Sequence, residues 1–191
     1  MGREFELKYA ATPEILRAIQ AEYGVTETVA METTYYDSGD LCFSSRKMTL
    51  RLRKENGITV CTLKTPLAEG GRGEWECPAS DIRQGLCLLL QQGAPIAALP
   101  EDMELQEVCG ARFTRLAIRL PAGDGTVELA LDQGVLLGGG RTIDLCEVEV
   151  EQKTCSDAAA IAFAEALAAK YTLQPEPKSK FRRALALTKG A

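Results

Sequence analysis

The sequence predicts an α+β fold in which antiparallel β-hairpins dominate. Eight segments alternate apolar and polar residues with a period of two, as expected of strands that bury one face. The dipeptide Asn56-Gly57 lies between two of these segments and is a strong signal of a two-residue hairpin turn. Segments with helical spacing are fewer, and glycine-rich turns at residues 123–125 and 138–140 separate further strands.

The helical segments carry start and stop signals. Thr12 is a candidate N-cap, Pro13 suits the first helical position, and the apolar stripe that follows ends at Gly24. Further helices are predicted over residues 81–92 with Ser80 as the cap, over 158–171 with Ser156 or Asp157 as the cap, and as a short segment between 94 and 109. The predicted strands cover residues 3–9, 33–37, 48–54, 58–64, 72–78, 113–120, 127–134 and 144–153.

The composition excludes several classes of function. The chain has 191 residues and a formal net charge of -5, which argues against general binding of nucleic acid or acidic membranes. It contains no histidine, so neither a Ser-His or Cys-His nucleophile pair nor a histidine-bearing zinc site can form. Its seven cysteines form no CxxC motif. We recognise no signal peptide or membrane-spanning segment, and we therefore expect a cytoplasmic protein with reduced thiols.

Several predicted strands place charge at every second position. Side chains two apart on a strand point in the same direction, so each charged set lies on one face. Neighbouring carboxylates repel each other, and the acidic sets therefore need cations to neutralise them. The sets are Glu4, Glu6 and Lys8; Arg51 and Arg53; Glu74 and Glu76; Arg115 and Arg119; Glu128 and Asp132; and Glu147, Glu149 and Glu151.

Two arrangements suit this pattern. In an open sheet the charged faces are solvated, while the apolar faces pack on helices. In a closed barrel the charges line the lumen, and helices cover the apolar outer surface. Clustered acids would then hold a divalent metal through oxygen ligands, and clustered cations would hold phosphate oxygens. That combination favours phosphoryl transfer, which depends on positioning and charge neutralisation.

The order of these charged blocks resembles a known family. Glu4-Phe5-Glu6-Leu7-Lys8 matches an ExExK signature near the amino terminus. The blocks that follow in the family's order are Tyr35-Tyr36-Asp37, Leu50-Arg51-Leu52-Arg53, Thr62-Leu63-Lys64, Glu74-Trp75-Glu76, Ala130-Leu131-Asp132-Gln133-Gly134, Cys146-Glu147-Val148-Glu149-Val150-Glu151 and Lys178-Ser179-Lys180-Phe181-Arg182-Arg183. The sequence thus resembles the CYTH superfamily, the triphosphate tunnel metalloenzymes, from residue 4 to about residue 185, and is most similar to its bacterial inorganic triphosphatases.

The resemblance implies a closed eight-stranded antiparallel β-barrel, the triphosphate tunnel, with a charged lumen and flanking helices. It implies one CYTH domain over residues 1–191 and Mg²⁺ or Mn²⁺ as the cofactor. The carboxylates that match metal ligands are Glu4, Glu6, Glu147, Glu149 and Glu151. The cations that match substrate-binding residues are Lys8, Arg51, Arg53, Lys64, Arg115, Lys180 and Arg183, and Lys178 competes with Lys180 for the same role. Of these residues, Glu4, Glu6, Lys8 and Lys180 are expected to be catalytic.

Some residues have two interpretations. Asp132 would bind metal or cap the turn before Gly134, and we favour the metal. Glu74 and Glu76 would be metal ligands or would hold arginines in place. Arg115 is the expected tunnel arginine, although Arg112 and Arg119 lie close to it in the sequence. We expect Tyr35, Tyr36 and the cysteines to serve packing.

The hypothesis that follows is metal-dependent hydrolysis of inorganic triphosphate to pyrophosphate and phosphate. The alternatives are a class IV adenylate cyclase or a thiamine triphosphatase on the same fold, and a module that binds polyphosphate without catalysis. The expected partner is a small-molecule triphosphate, with no nucleic acid and no membrane. The sequence leaves open whether the protein is a monomer or a homodimer.

Overall fold

The computed structural model describes residues 2–25, 27–68, 71–96 and 103–189. Within these residues, ten strands form one strongly curled antiparallel sheet, and five helices flank it. The strands are β1 (Gly2–Glu4), β2 (Glu6–Ala10), β3 (Glu27–Ser38), β4 (Thr49–Glu55), β5 (Ile58–Pro66), β6 (Arg72–Pro78), β7 (Leu105–Ala122), β8 (Gly125–Gly138), β9 (Arg141–Gln152) and β10 (Gln174–Pro175). The helices are α1 (Pro13–Tyr23), α2 (Cys42–Ser45), α3 (Ile82–Gln91), α4 (Asp157–Tyr171) and α5 (Lys180–Ala186).

The amino-terminal segment pairs at one end of the sheet through β1 and near the other end through β2. The strand order is β1-β6-β5-β4-β3-β7-β8-β9-β2-β10. In β1, Glu4 lies opposite Arg72 of β6, whereas in β2, Glu6 lies opposite Glu151 of β9. The single strand predicted over residues 3–9 is therefore two strands, because the chain changes its pairing partner at Phe5.

Two of the predicted helices are confirmed with their caps. The Thr12 hydroxyl accepts a hydrogen bond from the Ile15 amide at the start of α1, and Gly24 ends that helix with a left-handed backbone at φ 65°. Ser156 caps α4 by accepting from the Ala159 amide. The predicted cap of α3 was wrong: Asp81, and not Ser80, accepts from the first amides of that helix.

Sheet pairing overrides the other helix prediction. The prediction of a short helix between 94 and 109 is wrong over residues 105–109, which belong to β7 and pair with the end of β3. Residues 97–102 lie outside the described residues. The short elements α2, α5 and β10 were not predicted, since each spans too few residues to show the hydrophobic periodicity of a helix or a strand.

Two large apolar clusters and a smaller one beneath α5 form the core. One large cluster includes Ile19, Leu129 and Leu167 beneath α1 and α4, and the other includes Leu63 and Leu89 beneath α3. The opposite faces of the same strands carry the predicted charges and are available for a site. None of the helices in the described part of the chain has the length and apolar character needed to cross a membrane.

Candidate active site

The inner face of the sheet encloses a charged cavity of about 380 Å³. Strands from all around the curled sheet contribute, because alternate residues of each strand point inwards. The lining carboxylates are Glu4, Glu6, Glu27, Glu55, Glu74, Glu76, Glu128, Glu149 and Glu151. The lining cations are Lys8, Arg51, Arg53, Lys64, Arg72, Arg115, Lys153 and Lys180. The cavity thus combines the residue types that phosphate groups and divalent metals require.

Four of these cations come together on one side of the cavity, and we call this side the basic wall. They are Arg51, Arg53, Lys64 and Arg72. They come from the neighbouring strands β4, β5 and β6. The Nε–H groups of Arg51 and Arg72 are buried and have no hydrogen-bond partner in the described structure. Burial, and then the charge of Arg51, lowers the pKa of Arg53. Cations that are crowded together with spare donors are suited to binding an anion.

Glu74 and Glu76 accompany the two arginines of β4 at long range, although Arg53 also contacts Glu55 closely. Arg51 Nη2 lies 3.8 Å from Glu74 and 3.9 Å from Glu76, and Arg53 Nη2 lies 3.7 Å from Glu76. These distances are too long for strong hydrogen bonds. Glu74 and Glu76 therefore balance the charge of the arginines while leaving their donors free, which suits the interpretation that they hold the arginines in place.

The amino-terminal signature lies beside the basic wall. Lys64 donates to Glu4 Oε1, whereas Glu4 Oε2 is buried and has no hydrogen-bond partner in the described structure. Glu6 accepts from Lys8 at 3.2 Å. A buried carboxylate oxygen without a donor is costly, and a cation would satisfy it. Glu4 and Glu6 therefore fit a divalent metal with oxygen preference.

Five charged residues beside the cavity contact one another, and we call them the buried ion cluster. Its members are Asp132, Glu147, Glu149, Arg115 and Lys180. Arg115 makes a two-pronged contact with Asp132, at 2.8 and 2.7 Å, and also donates to Glu149. Lys180 lies 2.8 Å from Asp132 and 2.7 Å from Glu149, and it contacts Glu147 as well. Asp132 and Glu147 are fully buried beneath the cavity and do not line it.

The cluster's carboxylates have an alternative use. One oxygen from each of Asp132, Glu147 and Glu149 lies within 4.8 Å of the others, so the three could hold a metal ion. The Lys180 ammonium already contacts all three carboxylates, and a metal would have to displace it. Burial alone would raise the pKa of Glu149, but the charges of Lys180 and Arg115 outweigh it and hold that pKa well below its usual range.

Helix α5 brings Lys180 into the cluster. The helix packs closely on β8, where a Cβ atom at Gly138 would overlap the Ala184 carbonyl oxygen. Phe181 contacts Tyr35 with ring centroids 5.1 Å apart, so Tyr35 packs against α5, and it lines the cavity as well. Arg183 lies outside the cavity lining, 2.8 Å from Glu147 and 3.1 Å from Glu176.

Most of the predicted site residues do line one cavity. Those that line it are Glu4, Glu6, Lys8, Arg51, Arg53, Lys64, Arg115, Glu149, Glu151 and Lys180. Lys178 does not, since it is exposed beside α5. Arg112 is also exposed and donates to backbone carbonyl oxygens, so Arg115 is the arginine of β7 that reaches the cavity.

Sequence reasoning assigned no site role to five charged residues of the cavity: Glu27, Glu55, Arg72, Glu128 and Lys153. Glu128 already belongs to one of the predicted charged sets, and Glu55, Arg72 and Lys153 continue inward-facing rows that the sequence does reveal. Arg72 precedes Glu74 by two positions, and Lys153 follows Glu151 by two. Extending the period-two pattern beyond the predicted motifs would have found them.

Comparison with known proteins agrees with this geometry. A model of the CYTH domain matches residues 2–185. The chain belongs to the CYTH family. An inorganic triphosphatase of Haemophilus influenzae is 29% identical to this CYTH chain over an alignment of 163 residues, which covers 81% of the chain and 46% of that relative. The chain therefore spans about half the length of the curated relative it matches.

Solved structures share the CYTH fold. HpAC1 from Hippeastrum, described as a candidate adenylyl cyclase with a dominant triphosphatase activity, has a TM-score of 0.69 at 18% identity, over 96% of this chain and 95% of its own. A candidate adenylate cyclase from Bacillus halodurans has a TM-score of 0.67 at 20% identity, over 96% of this chain and 98% of its own. At these identities the likeness shows the fold alone.

Proposed function

We propose that this CYTH protein hydrolyses inorganic triphosphate to pyrophosphate and phosphate with the help of Mg²⁺ or Mn²⁺. The main support is the pairing, in one cavity, of a basic wall with spare donors and a carboxylate pair with an unsatisfied buried oxygen. Its similarity to an inorganic triphosphatase points to the same reaction.

We also propose that the sheet acts as a closed eight-stranded tunnel. If β1 and β2 are counted as one bent strand, that strand pairs with β6 on one side and with β9 on the other. The short strand β10 lies outside this count, because it pairs only at the margin of β2. Together with the flanking helices, residues 1–191 would then form a single CYTH domain.

Glu4 and Glu6 would hold the metal in this proposal. A bound Mg²⁺ or Mn²⁺ would supply positive charge to the phosphate oxygens and acidify a water molecule for attack. Glu149 and Glu151 face the same cavity, whereas Asp132 and Glu147 lie behind it, where they hold Arg115 and Lys180. The two buried residues would thus support the site without touching substrate.

The cations of the chain would bind and orient the phosphates. Arg51, Arg53 and Lys64 would hold phosphate oxygens on the basic wall, and Lys8 and Arg115 of the same cavity would add further contacts. Catalysis of such a reaction depends mainly on stabilising the negative charge that develops on the leaving pyrophosphate. Cations that are already held in place in the cavity can stabilise this charge without first rearranging their side chains.

The test is release of phosphate from inorganic triphosphate, with ATP in parallel, in Mg²⁺, Mn²⁺ or EDTA. We expect rapid metal-dependent turnover of triphosphate and slow turnover of ATP. Consumption of ATP alone, with or without cyclic AMP as the product, would instead assign a nucleotide enzyme. Binding of triphosphate without turnover in any metal would assign a binding module.

The remaining proposals concern the setting of the reaction. The substrate is a small molecule, and we propose neither a nucleic-acid nor a membrane partner. We place the protein in the cytoplasm, where its seven free thiols would stay reduced. The distribution of the protein between cell fractions, and its thiol content in extracts, would test this placement.

A further inference from the structure

A row of three carboxylates crosses the cavity on adjacent strands. Glu151 of β9 lies directly opposite Glu6 of β2 on one side and Glu128 of β8 on the other. All three line the cavity. Directly opposed residues on antiparallel strands have side chains within about 5 Å of each other, so like charges repel. This carboxylate row therefore requires cations.

Lys153 supplies one of those cations from within the chain. Its Nζ lies 2.9 Å from Glu151 and 3.6 Å from Glu128, whereas Glu6 is paired with Lys8 at 3.2 Å. Lys153 follows β9 directly and lies two residues after Glu151, so its side chain extends the inward face of that strand. Its side chain is only 23% exposed.

The backbone around Lys153 is firmly held. The amides of Lys153 and Thr154 both donate to the Thr126 carbonyl oxygen at 3.1 Å, and Thr126 in turn donates its amide to the Thr154 hydroxyl at 3.0 Å. These bonds attach the end of β9 to the start of β8, the strand that carries Glu128. The ammonium group is thus positioned over the row by rigid structure.

We propose that the Lys153 ammonium takes the place of a second divalent cation on Glu128 and Glu151, and so restricts metal binding to the side of Glu4 and Glu6. This inference rests on the proposed function, because it assumes that Glu4 and Glu6 hold the catalytic metal. Lys153 is then a residue that determines metal stoichiometry, and Glu128 is a partner of Lys153 and not a metal ligand.

The decisive variant is Lys153→Met, studied by calorimetric titration with Mn²⁺ in the absence of any triphosphate. We expect this variant to bind one more Mn²⁺ per chain than the wild type. In addition, its melting temperature without metal should fall, and saturating Mn²⁺ should raise it by more than in the wild type. Lys153→Arg keeps the charge and should show wild-type stoichiometry.

Two further variants separate the alternatives. Lys170→Met removes a lysine from the outer surface, where it pairs with Glu22, and should change nothing in the titration. Glu128→Gln alone should also leave Mn²⁺ stoichiometry unchanged, but it should abolish the gained site in the Lys153→Met background. This variant keeps the inference testable even if Lys153→Met does not fold.

Unchanged stoichiometry in folded Lys153→Met would overturn the inference. A large rise in KM for triphosphate in that variant would then make Lys153 a phosphate ligand. Loss of Mn²⁺ in Glu128→Gln alone would also overturn it, because Glu128 would then be a metal ligand. Since the titration contains no substrate, failure of the triphosphatase assay would refute the proposed function and leave this result intact.

Discussion

The cations of the buried ion cluster and Arg51 of the basic wall are paired with carboxylates to very different degrees. In the cluster, Arg115 and Lys180 reach their carboxylates at hydrogen-bond distance, and Asp132 is fully buried. On the basic wall, Arg51 lies 3.8 Å or more from its nearest carboxylates and keeps a buried Nε–H without a partner. Buried polar groups normally have hydrogen-bond partners, so the unpaired donor of Arg51 is better explained by binding of a ligand than by a role in stability.

This difference assigns separate tasks to these two groups of charged residues. Breaking a buried pair leaves a charge without compensation, so the cluster should control folding. Removing a loosely paired arginine leaves the fold with little loss but deprives a phosphate of its donor. Stability and activity should therefore respond to different substitutions.

The largest effect on stability should come from Asp132→Asn. This change removes the charge that accepts both prongs of Arg115 and also contacts Lys180. We expect the free energy of unfolding to fall by about 3–5 kcal/mol, as for other broken buried ion pairs. Urea denaturation measures it, and a wild-type midpoint would show that Glu147 and Glu149 suffice to hold both cations.

The largest effect on activity should come from Arg51→Ala. We expect kcat/KM for triphosphate to fall roughly 10²–10³-fold, as when one preorganised donor to a reacting oxyanion is removed. The urea midpoint should change much less than in Asp132→Asn. Arg17→Ala, which removes an exposed arginine of α1, is the matched control. Wild-type kinetics for Arg51→Ala would remove the basic wall from the substrate site.

Metal should stabilise the fold through the amino-terminal carboxylates. At a Mn²⁺ concentration about 100 times its Kd, binding to the folded state alone would add about 2.7 kcal/mol to the free energy of unfolding. EDTA should remove this gain, and so should Glu4→Gln, because Glu4 has the unsatisfied buried oxygen. Thermal melts with and without Mn²⁺ provide the measurement. If Glu147→Gln abolished the gain while Glu4→Gln did not, the ion would lie in the buried cluster.

The cavity walls could be predicted from the sequence because a strand fixes side-chain direction by position alone. Glu4, Arg51 and Glu149 lie inside the cavity for that reason. The pairing of individual charges could not be predicted. The partners of Lys180 lie more than 30 residues away in the sequence, and its pairing depends on where α5 packs. Residues of the same pattern, such as Glu147 and Glu149, therefore differ in exposure to the cavity.

Acid should weaken the fold through Glu149. Its pKa in the folded protein lies well below the usual range, so the ionised carboxylate is favoured by folding. The stability that it contributes is fully present above the pKa of an unfolded glutamate, about 4.3, and is lost as the pH falls through the folded value. Urea midpoints measured below pH 5 should decline less steeply in Glu149→Gln than in the wild type. Parallel slopes would place the acid sensitivity elsewhere.

The smallest effect should come from Lys170→Met, which tests whether surroundings or chemistry distinguish the two regions. Lys170 pairs with Glu22 just as Lys180 pairs with Glu149, but its side chain is 54% exposed on α4. In water the attraction is screened and the side chains lose entropy when they pair, so exposed pairs contribute little. We expect a wild-type urea midpoint, wild-type kinetics and a wild-type Mn²⁺ titration. A midpoint lowered as far as in Asp132→Asn would mean that burial does not explain the strength of the cluster, and its role in folding would have to rest on the packing of α5.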